Sequence, residues 1–340
     1  MSTESETVKA AAKPKRINFT QACVMAMDEA MAADPRVILL GEDIADDQGG
    51  GVFGATKGLS SKYGTDRVRS TPISEQAIIG AAIGAALVGY RPVAEIMLMN
   101  FITVAMDQVV NHAAKLRFMS GGQTKVPITI RMATGAGVGF GGQHSDMLEA
   151  WFAHVPGLKV VMASNPADAK GLLLACIQDE DPCLFIENTS SYGVSGPAPE
   201  PGYIVPLGKA AVAREGSDVT VIGYGTAVGK ALLAAKTLEA EGVSVEVVDL
   251  RTIAPYDEAA VLASVAKTKR AVVVHEAVRN FGVGAEISAM IHENLFSVLH
   301  APVERIGSAY SPVPFSPVLE KAFLFKQEQI EAAIRKTMNH

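Results

Sequence analysis

Glu75 stands where two kinds of sequence meet. Before it lies a turn, Thr71-Pro72-Ile73-Ser74, and beyond it Gly80 to Gly89 runs Gly-Ala-Ala-Ile-Gly-Ala-Ala-Leu-Val-Gly with no polar side chain. A carboxyl group at the mouth of a buried apolar helix loses hydration, so its neutral form gains unless something polar meets it. Such a group suits proton sharing with a bound heterocycle. The plainer alternative is a carboxylate that balances the helix dipole. A second candidate is His144, which follows the run Gly135-Ala136-Gly137-Val138-Gly139-Phe140-Gly141-Gly142. A loop so poor in side chains can bring backbone N–H groups close to a ligand and deliver an imidazole to the same place. Imidazole, with an ordinary pKa of about 6.5, changes charge near neutrality.

A second glycine-rich turn, Gly223-Tyr224-Gly225-Thr226-Ala227-Val228-Gly229, follows a strand pattern and opens a helix pattern. Its spacing is not that of the dinucleotide fingerprint, although Glu246 and Asp249 lie about twenty residues on. Small residues that let a strand turn tightly into its helix explain it more simply. The chain has no phosphate-binding loop of the G-x-x-x-x-G-K type, no H-E-x-x-H, no nucleophile elbow and no Gly-Asp-Gly followed by Asn. Either the chemistry needs no metal diphosphate, or another chain holds it.

The elements that must position these groups alternate between helix and strand, as in an α/β chain with mainly parallel sheets. Helix patterns cover 18–33, a segment after Glu75, 105–118, 167–177, 227–240, a stretch through Ile291 and 327–338. Strand patterns cover 37–43, 92–98, 128–133, 159–162, 183–186, 219–223, 243–249 and 271–275. Residues 46–54 read as a mobile glycine-rich loop. The stretch Gly193 to Gly202 is rich in Pro and Gly and reads as a linker that sustains neither helix nor ladder. With 340 residues, 49% of them hydrophobic, two domains are expected. The division is a flexible tail over 1–16, one domain over 17–195, a linker over 196–204 and a second domain over 205–340. A net charge of -6 argues against nucleic acid or an anionic membrane as partner. Apolar runs stop well short of about 18 residues, so no membrane span is expected. Cys23, Cys176 and Cys183 lack metal spacing, and a reducing cytoplasm is expected.

Several motifs then converge. They are Thr71-Pro72-Ile73-Ser74-Glu75, Arg91-Pro92-Val93-Ala94-Glu95, Asp107-Gln108, Ala113-Ala114-Lys115 and Met119-Ser120-Gly121-Gly122. Gln143-His144-Ser145, His154 to Val161, Asp168 to Leu172, Pro206 to Ala210, Asp249 to Pro255, Gly284 to Ile287 and Pro312 to Phe315 follow in order. From about residue 17 to the C-terminus the chain closely resembles β subunits of the E1 component of 2-oxo acid dehydrogenases, a family that includes pyruvate, branched-chain and acetoin members.

That resemblance implies two doubly wound, mainly parallel α/β domains, a transketolase-like pyrimidine-binding domain and a transketolase C-terminal domain. It implies thiamine diphosphate as cofactor, with Mg²⁺ and the diphosphate held mainly by a separate α subunit in an α2β2 assembly. Glu75 matches the glutamate at the pyrimidine N1′, and Phe101 and Ile73 match residues around that ring. His144 matches the histidine that handles protons or orients the lipoyl group during acyl transfer to E2. Ile128, Cys176, Ile177, Asp179 and Asp181 align with a structural K⁺ site of some members, with Asp181 in place of a neutral amide. The substrate implied is a 2-oxo acid or acetoin. A transketolase-like C–C ligase subunit and a non-catalytic assembly subunit are the alternatives. Gly141-Gly142 and Asp146 depart from the family pattern around the histidine, as does Gly307 to Ser311 near the C-terminus.

Overall fold

The first helix shows how the sequence builds its elements. Phe19–Ala33 places Phe19, Ala22, Cys23, Ala26, Met27, Ala30 and Met31 on one buried face at helical spacing. Asn18 caps it, accepting from the Gln21 N–H while the Gln21 side chain accepts from the Asn18 N–H. This capping box satisfies amide groups that a helix start leaves unpaired. The computed structural model describes residues 15–340, so nearly all of the expected tail lies outside the described residues.

Seven strands form the first sheet, in the order Thr252–Ala254, Lys159–Met162, Cys183–Asn188, Thr129–Thr134, Arg91–Leu98, Val37–Glu42, Val68–Thr71. All neighbours are parallel except the first pair. Every residue of Thr129–Thr134 and Cys183–Asn188 is buried, as expected of a parallel sheet covered on both faces. Helices Phe19–Ala33 and Pro166–Gln178 pack with Val37, Leu39 and Phe185 on one face. Glu75–Leu87 and the Met99–Ala105 turn pack with Ile38, Leu40 and Ile96 on the other. A second sheet has the order Glu304–Ser308, Ala271–Val278, Val219–Gly223, Val245–Asp249, Ala211–Arg214, and only the last strand is antiparallel to its neighbour.

Two findings join the halves more closely than a flexible linker would. Ile222, Tyr224, Val248 and Leu250 of the C-terminal half belong to the same apolar core as Ile96, Met132 and Phe152 of the N-terminal half. Strand Thr252–Ala254 leaves the C-terminal half and completes the edge of the first sheet, with the Met162 N–H donating to Arg251 O at 3.0 Å.

The stretch read as unable to hold a ladder contains a strand, Ser195–Pro197, antiparallel to Arg16–Asn18. It works because the ribbon has only two strands, so Pro197 at its end has no second neighbour to supply with an N–H. Gly196 lies against the Pro166 ring, where a Cβ would come within 3.3 Å of Pro166 Cδ. The helix expected over 105–118 is also irregular. A 3₁₀ segment at Met99–Ala105 leads into a π-helical stretch at Gln108–Ala113 and a final turn at Leu116–Met119.

Candidate active site

Glu75 is the first residue of helix Glu75–Leu87, reached from strand Val68–Thr71 through the Pro72-Ile73-Ser74 turn. Its carboxylate is half-buried and has no hydrogen-bond or ion-pair partner among the described residues. The helix is not enclosed as the sequence suggests. It buries Ile78, Ile79, Ala82, Ile83 and Ala86, while Ala77, Ala81 and Gly84 on the opposite face remain exposed. Ile73 is 75% exposed. Glu42, at the end of strand Val37–Glu42, pairs in register with Thr71 and so stands near Glu75. Burial, and then the charges of Asp43 and Glu75, push the Glu42 carboxyl above the usual carboxylate range. Sequence reasoning does not single out Glu42; the available signal is a carboxylate ending an apolar strand beside the Glu75 turn.

Phe101 and His144 come together, their rings crossing edge to face at 5.2 Å between centroids. Asp146, one of the departures, does not pair with the imidazole. Its carboxylate accepts from Asn100 Nδ2 at 2.8 Å, and its N–H donates to Asn100 Oδ1 at 3.1 Å. The added carboxylate therefore ties the histidine loop to the residue preceding Phe101. Beside them a cleft of about 900 Å³ runs between the halves, lined by Phe101, Asp146 and Trp151 on one side and Glu276, Phe281 and Tyr310 on the other. Neither Glu75, Ile73 nor His144 lines this cleft.

The expected K⁺ site is committed to other partners. The Ile128 carbonyl accepts from the Cys183 N–H and the Cys176 carbonyl from the Asp179 N–H. Arg91 donates to the Ile177 and Asp179 carbonyls at 3.1 and 3.0 Å. Lys159 Nζ binds both Asp179 carboxylate oxygens at 2.6 and 2.7 Å, and Arg117 pairs with Asp181. Three cationic side chains already do what a cation would do at this corner, and these residues do not fit a K⁺ ion.

The Gly223 turn is a packing device. Gly225 has φ +57, and a Cβ there would lie 2.8 Å from Met162 Cε. The helix it opens, Thr226–Glu239, has a carboxylate at its start already, with Thr226 Oγ1 donating to Glu276 at 2.7 Å. Glu246 is tied to Ser264 and Lys267. These contacts make the turn a tight connection between strand and helix.

Glu149 and Tyr224 connect the halves. Both are fully or almost fully buried, and the Tyr224 hydroxyl donates to Glu149 Oε1 at 2.7 Å, while Oε2 has no partner among the described residues. Burial raises the Glu149 carboxyl from 4.5 to about 7. A carboxyl whose folded pKa lies above its unfolded one contributes stability below the unfolded value and loses it as pH rises through the folded value. For Glu149 this predicts a loss of about 2–3 kcal/mol between about pH 5 and pH 8. Glu149→Gln keeps the acceptor for Tyr224 and removes the titration, so urea unfolding at both pH values should show a flatter profile. Asp249, which burial also raises to about 7, keeps part of the slope in the variant.

With this geometry in place, relatives identify the family. The chain matches the transketolase pyrimidine-binding domain over residues 15–194 and the transketolase C-terminal domain over residues 208–330. It is 46% identical to the β subunit of acetoin:2,6-dichlorophenolindophenol oxidoreductase of Cupriavidus necator, covering 95% of this chain and 98% of the relative. It is 45% identical to the mitochondrial pyruvate dehydrogenase E1 subunit β-2 of rice, covering 96% of this chain and 87% of the relative. To the 2-oxoisovalerate dehydrogenase β subunit of Bacillus subtilis it is 43% identical, covering 94% of this chain and 98% of the relative. A split-gene transketolase solved as an inactive β4 tetramer shares the fold, with a TM-score of 0.77 and 23% identity over 95% of this chain and 98% of its own. No helix among the described residues is long and apolar enough to cross a membrane. The chain belongs to the E1 β-subunit family of 2-oxo acid and acetoin dehydrogenases, oxidoreductases built from transketolase pyrimidine-binding and C-terminal domains.

Proposed function

We propose that this chain supplies the pyrimidine half of a thiamine diphosphate site, completed by an α chain, and that the complex oxidatively decarboxylates a 2-oxo acid or cleaves acetoin. The observation that carries the reading is Glu75, a half-buried carboxylate with no partner among the described residues, on a helix whose outer face is built from Ala77, Ala81 and Gly84. Small side chains on an exposed apolar face let another chain approach closely, which suits an α2β2 assembly. Toward a flat polar ring Glu75 offers a carboxylate with no partner among the described residues, Ile73 an exposed apolar side chain and Phe101 an aromatic ring. When bound, thiamine diphosphate supplies an electron sink for the carbon that loses CO₂.

The chain's own residues then have distinct tasks. Glu75 holds or releases a proton at the pyrimidine N1′, a position where proton transfer by a placed carboxyl is worth orders of magnitude in rate. Phe101 and Ile73 orient the ring. His144 handles a proton in the later step, when the acyl group passes to one sulfur of a lipoyl dithiolane on E2. There the S–S bond breaks, two electrons pass from the acyl carbon to the disulfide, and the second sulfur takes up a proton. No group of three or more His, Cys, Asp or Glu among the described residues is disposed to hold a metal ion, and Mg²⁺ is assigned with the diphosphate to the α chain. The division at 196–204 between a pyrimidine-binding unit and a C-terminal unit, and a cytoplasmic location, belong to the same reading. Its test is to recombine the chain with an α chain, titrate thiamine diphosphate, and assay pyruvate, 2-oxoisovalerate and acetoin.

A further inference from the structure

The loop that ends in His144 has almost no side chains with which to hold itself. Gly135, Gly137, Gly139 and Gly141 have φ values of +106, +110, +77 and +76, a conformation that turns successive N–H groups outward. Such a segment has much freedom to lose, and the imidazole it carries would be poorly placed unless something fixed it. The N–H groups do not await a ligand, as the sequence suggests. Ala136 donates to Glu276 Oε1 at 2.9 Å. Gly137 donates to Glu320 Oε1 at 2.7 Å, and Gly139 lies 3.2 Å from both Glu320 oxygens.

Both carboxylates come from the C-terminal half. Glu276 lies in strand Ala271–Val278 and Glu320 in helix Pro317–Phe323, and both are buried. The second oxygen of Glu276 accepts from Thr226 Oγ1 and from Asn188 Nδ2 at 2.8 Å, so this carboxylate is itself held from two sides. Around these bonds Ala136 packs with Val313 and Phe323, and a Cβ on Gly141 would lie 3.1 Å from the Phe315 ring. The loop then closes on itself, the His144 N–H donating to Gly141 O at 3.2 Å, and the ring meets Phe101. Hydrogen bonds from N–H to a carboxylate are stronger than those between neutral groups, and burial shields these from competing water.

We propose that Glu276 and Glu320 are positioning residues, through which the C-terminal half clamps the glycine loop and holds His144 against Phe101 for acyl transfer. The proposal rests on the role given to His144 above. It assigns the C-terminal half a task in the reaction without contact between these carboxylates and the substrate.

The test uses the recombined complex with Glu320→Ala, Glu320→Gln and His144→Ala. Glu320→Gln, which keeps a carbonyl acceptor, serves if the alanine variant does not fold. The first readout is hydrogen exchange of the Gly137 and Gly139 amides, expected to rise about tenfold or more once their buried acceptor is lost. The second compares acyl transfer to a free lipoyl domain with decarboxylation read by a dye acceptor. The first rate should fall about tenfold or more and the second should stay within about twofold, with Glu320→Gln between the variant and wild type. In the His144→Ala background, Glu320→Ala should cost no more than about twofold further, because residues acting as a unit are not additive. Unchanged amide exchange, equal loss of both rates, or fully multiplicative losses in the double variant would each overturn the clamp. Wild-type acyl transfer by His144→Ala would instead remove the histidine's role and the positioning claim with it, while amide exchange would still decide whether Glu320 holds the loop.

Discussion

Glu75→Gln in the complex with an α chain is expected to lower turnover by roughly 10²–10⁴-fold, the range for losing a placed general acid–base group. Gln keeps the volume and a hydrogen-bonding carbonyl but cannot take up a proton. Because Glu75 has no ion pair or hydrogen bond among the described residues, the substitution breaks none of their contacts and should leave folding intact. The loss should therefore appear in kcat at saturating cofactor, with a much smaller change in cofactor affinity and an unchanged thermal midpoint. Turnover within about threefold of wild type would show that Glu75 only complements the helix dipole, an interaction worth about 0.3–1 kcal/mol.

Arg131→Met is expected to destabilise the chain by about 3–5 kcal/mol, the cost of removing one partner from a buried ionic group. Arg131 is 2% exposed at the centre of the first sheet. It pairs in register with Glu95 on one neighbouring strand, binding its carboxylate at 2.7 Å, and reaches Glu187 on the other neighbour, also at 2.7 Å. Tyr192 donates to Glu187 at 3.0 Å. Burial opposes the guanidinium charge, but Glu187 and Glu95 outweigh it and hold Arg131 ionised. Without the cation the buried Glu187 and the partly buried Glu95 carboxylates face one another, and Met fills the volume without neutralising either. Urea unfolding at neutral pH measures the loss. A loss below about 1 kcal/mol would mean that Glu95 and Glu187 are neutralised by protonation at little cost.

The elements most legible in the sequence are those whose pattern is local. The last helix, expected over 327–338, is Gln327–Met338, and the strand expected over 219–223 is Val219–Gly223. The strand expected over 271–275 runs on to Val278, and the extension carries Glu276. Its partners Asn188 and Ala136 lie 88 and 140 residues away in sequence, beyond any periodicity. A signal is present, since a glutamate ending an apolar strand is a buried charge that must find partners, but it does not say which. The same holds for Arg131, whose strand reads as apolar with one unexplained cation. Thr252–Ala254 escapes because three residues carry no period, and only the neighbouring sheet edge makes them a strand. Motif resemblance names Phe101 and His144, and the structure brings these two rings together. It also names the carbonyls at Ile177 and Asp179, where Arg91 intervenes.

The central claim is that this chain holds half of a cofactor site. The most direct measurement is calorimetric titration of thiamine diphosphate with Mg²⁺ into the chain alone and into the chain recombined with an α chain. Saturable binding of one cofactor per β chain in the complex, with no saturable binding to the chain alone, is the predicted result. Saturable binding to the isolated chain, or a complex that binds no cofactor, would contradict the account.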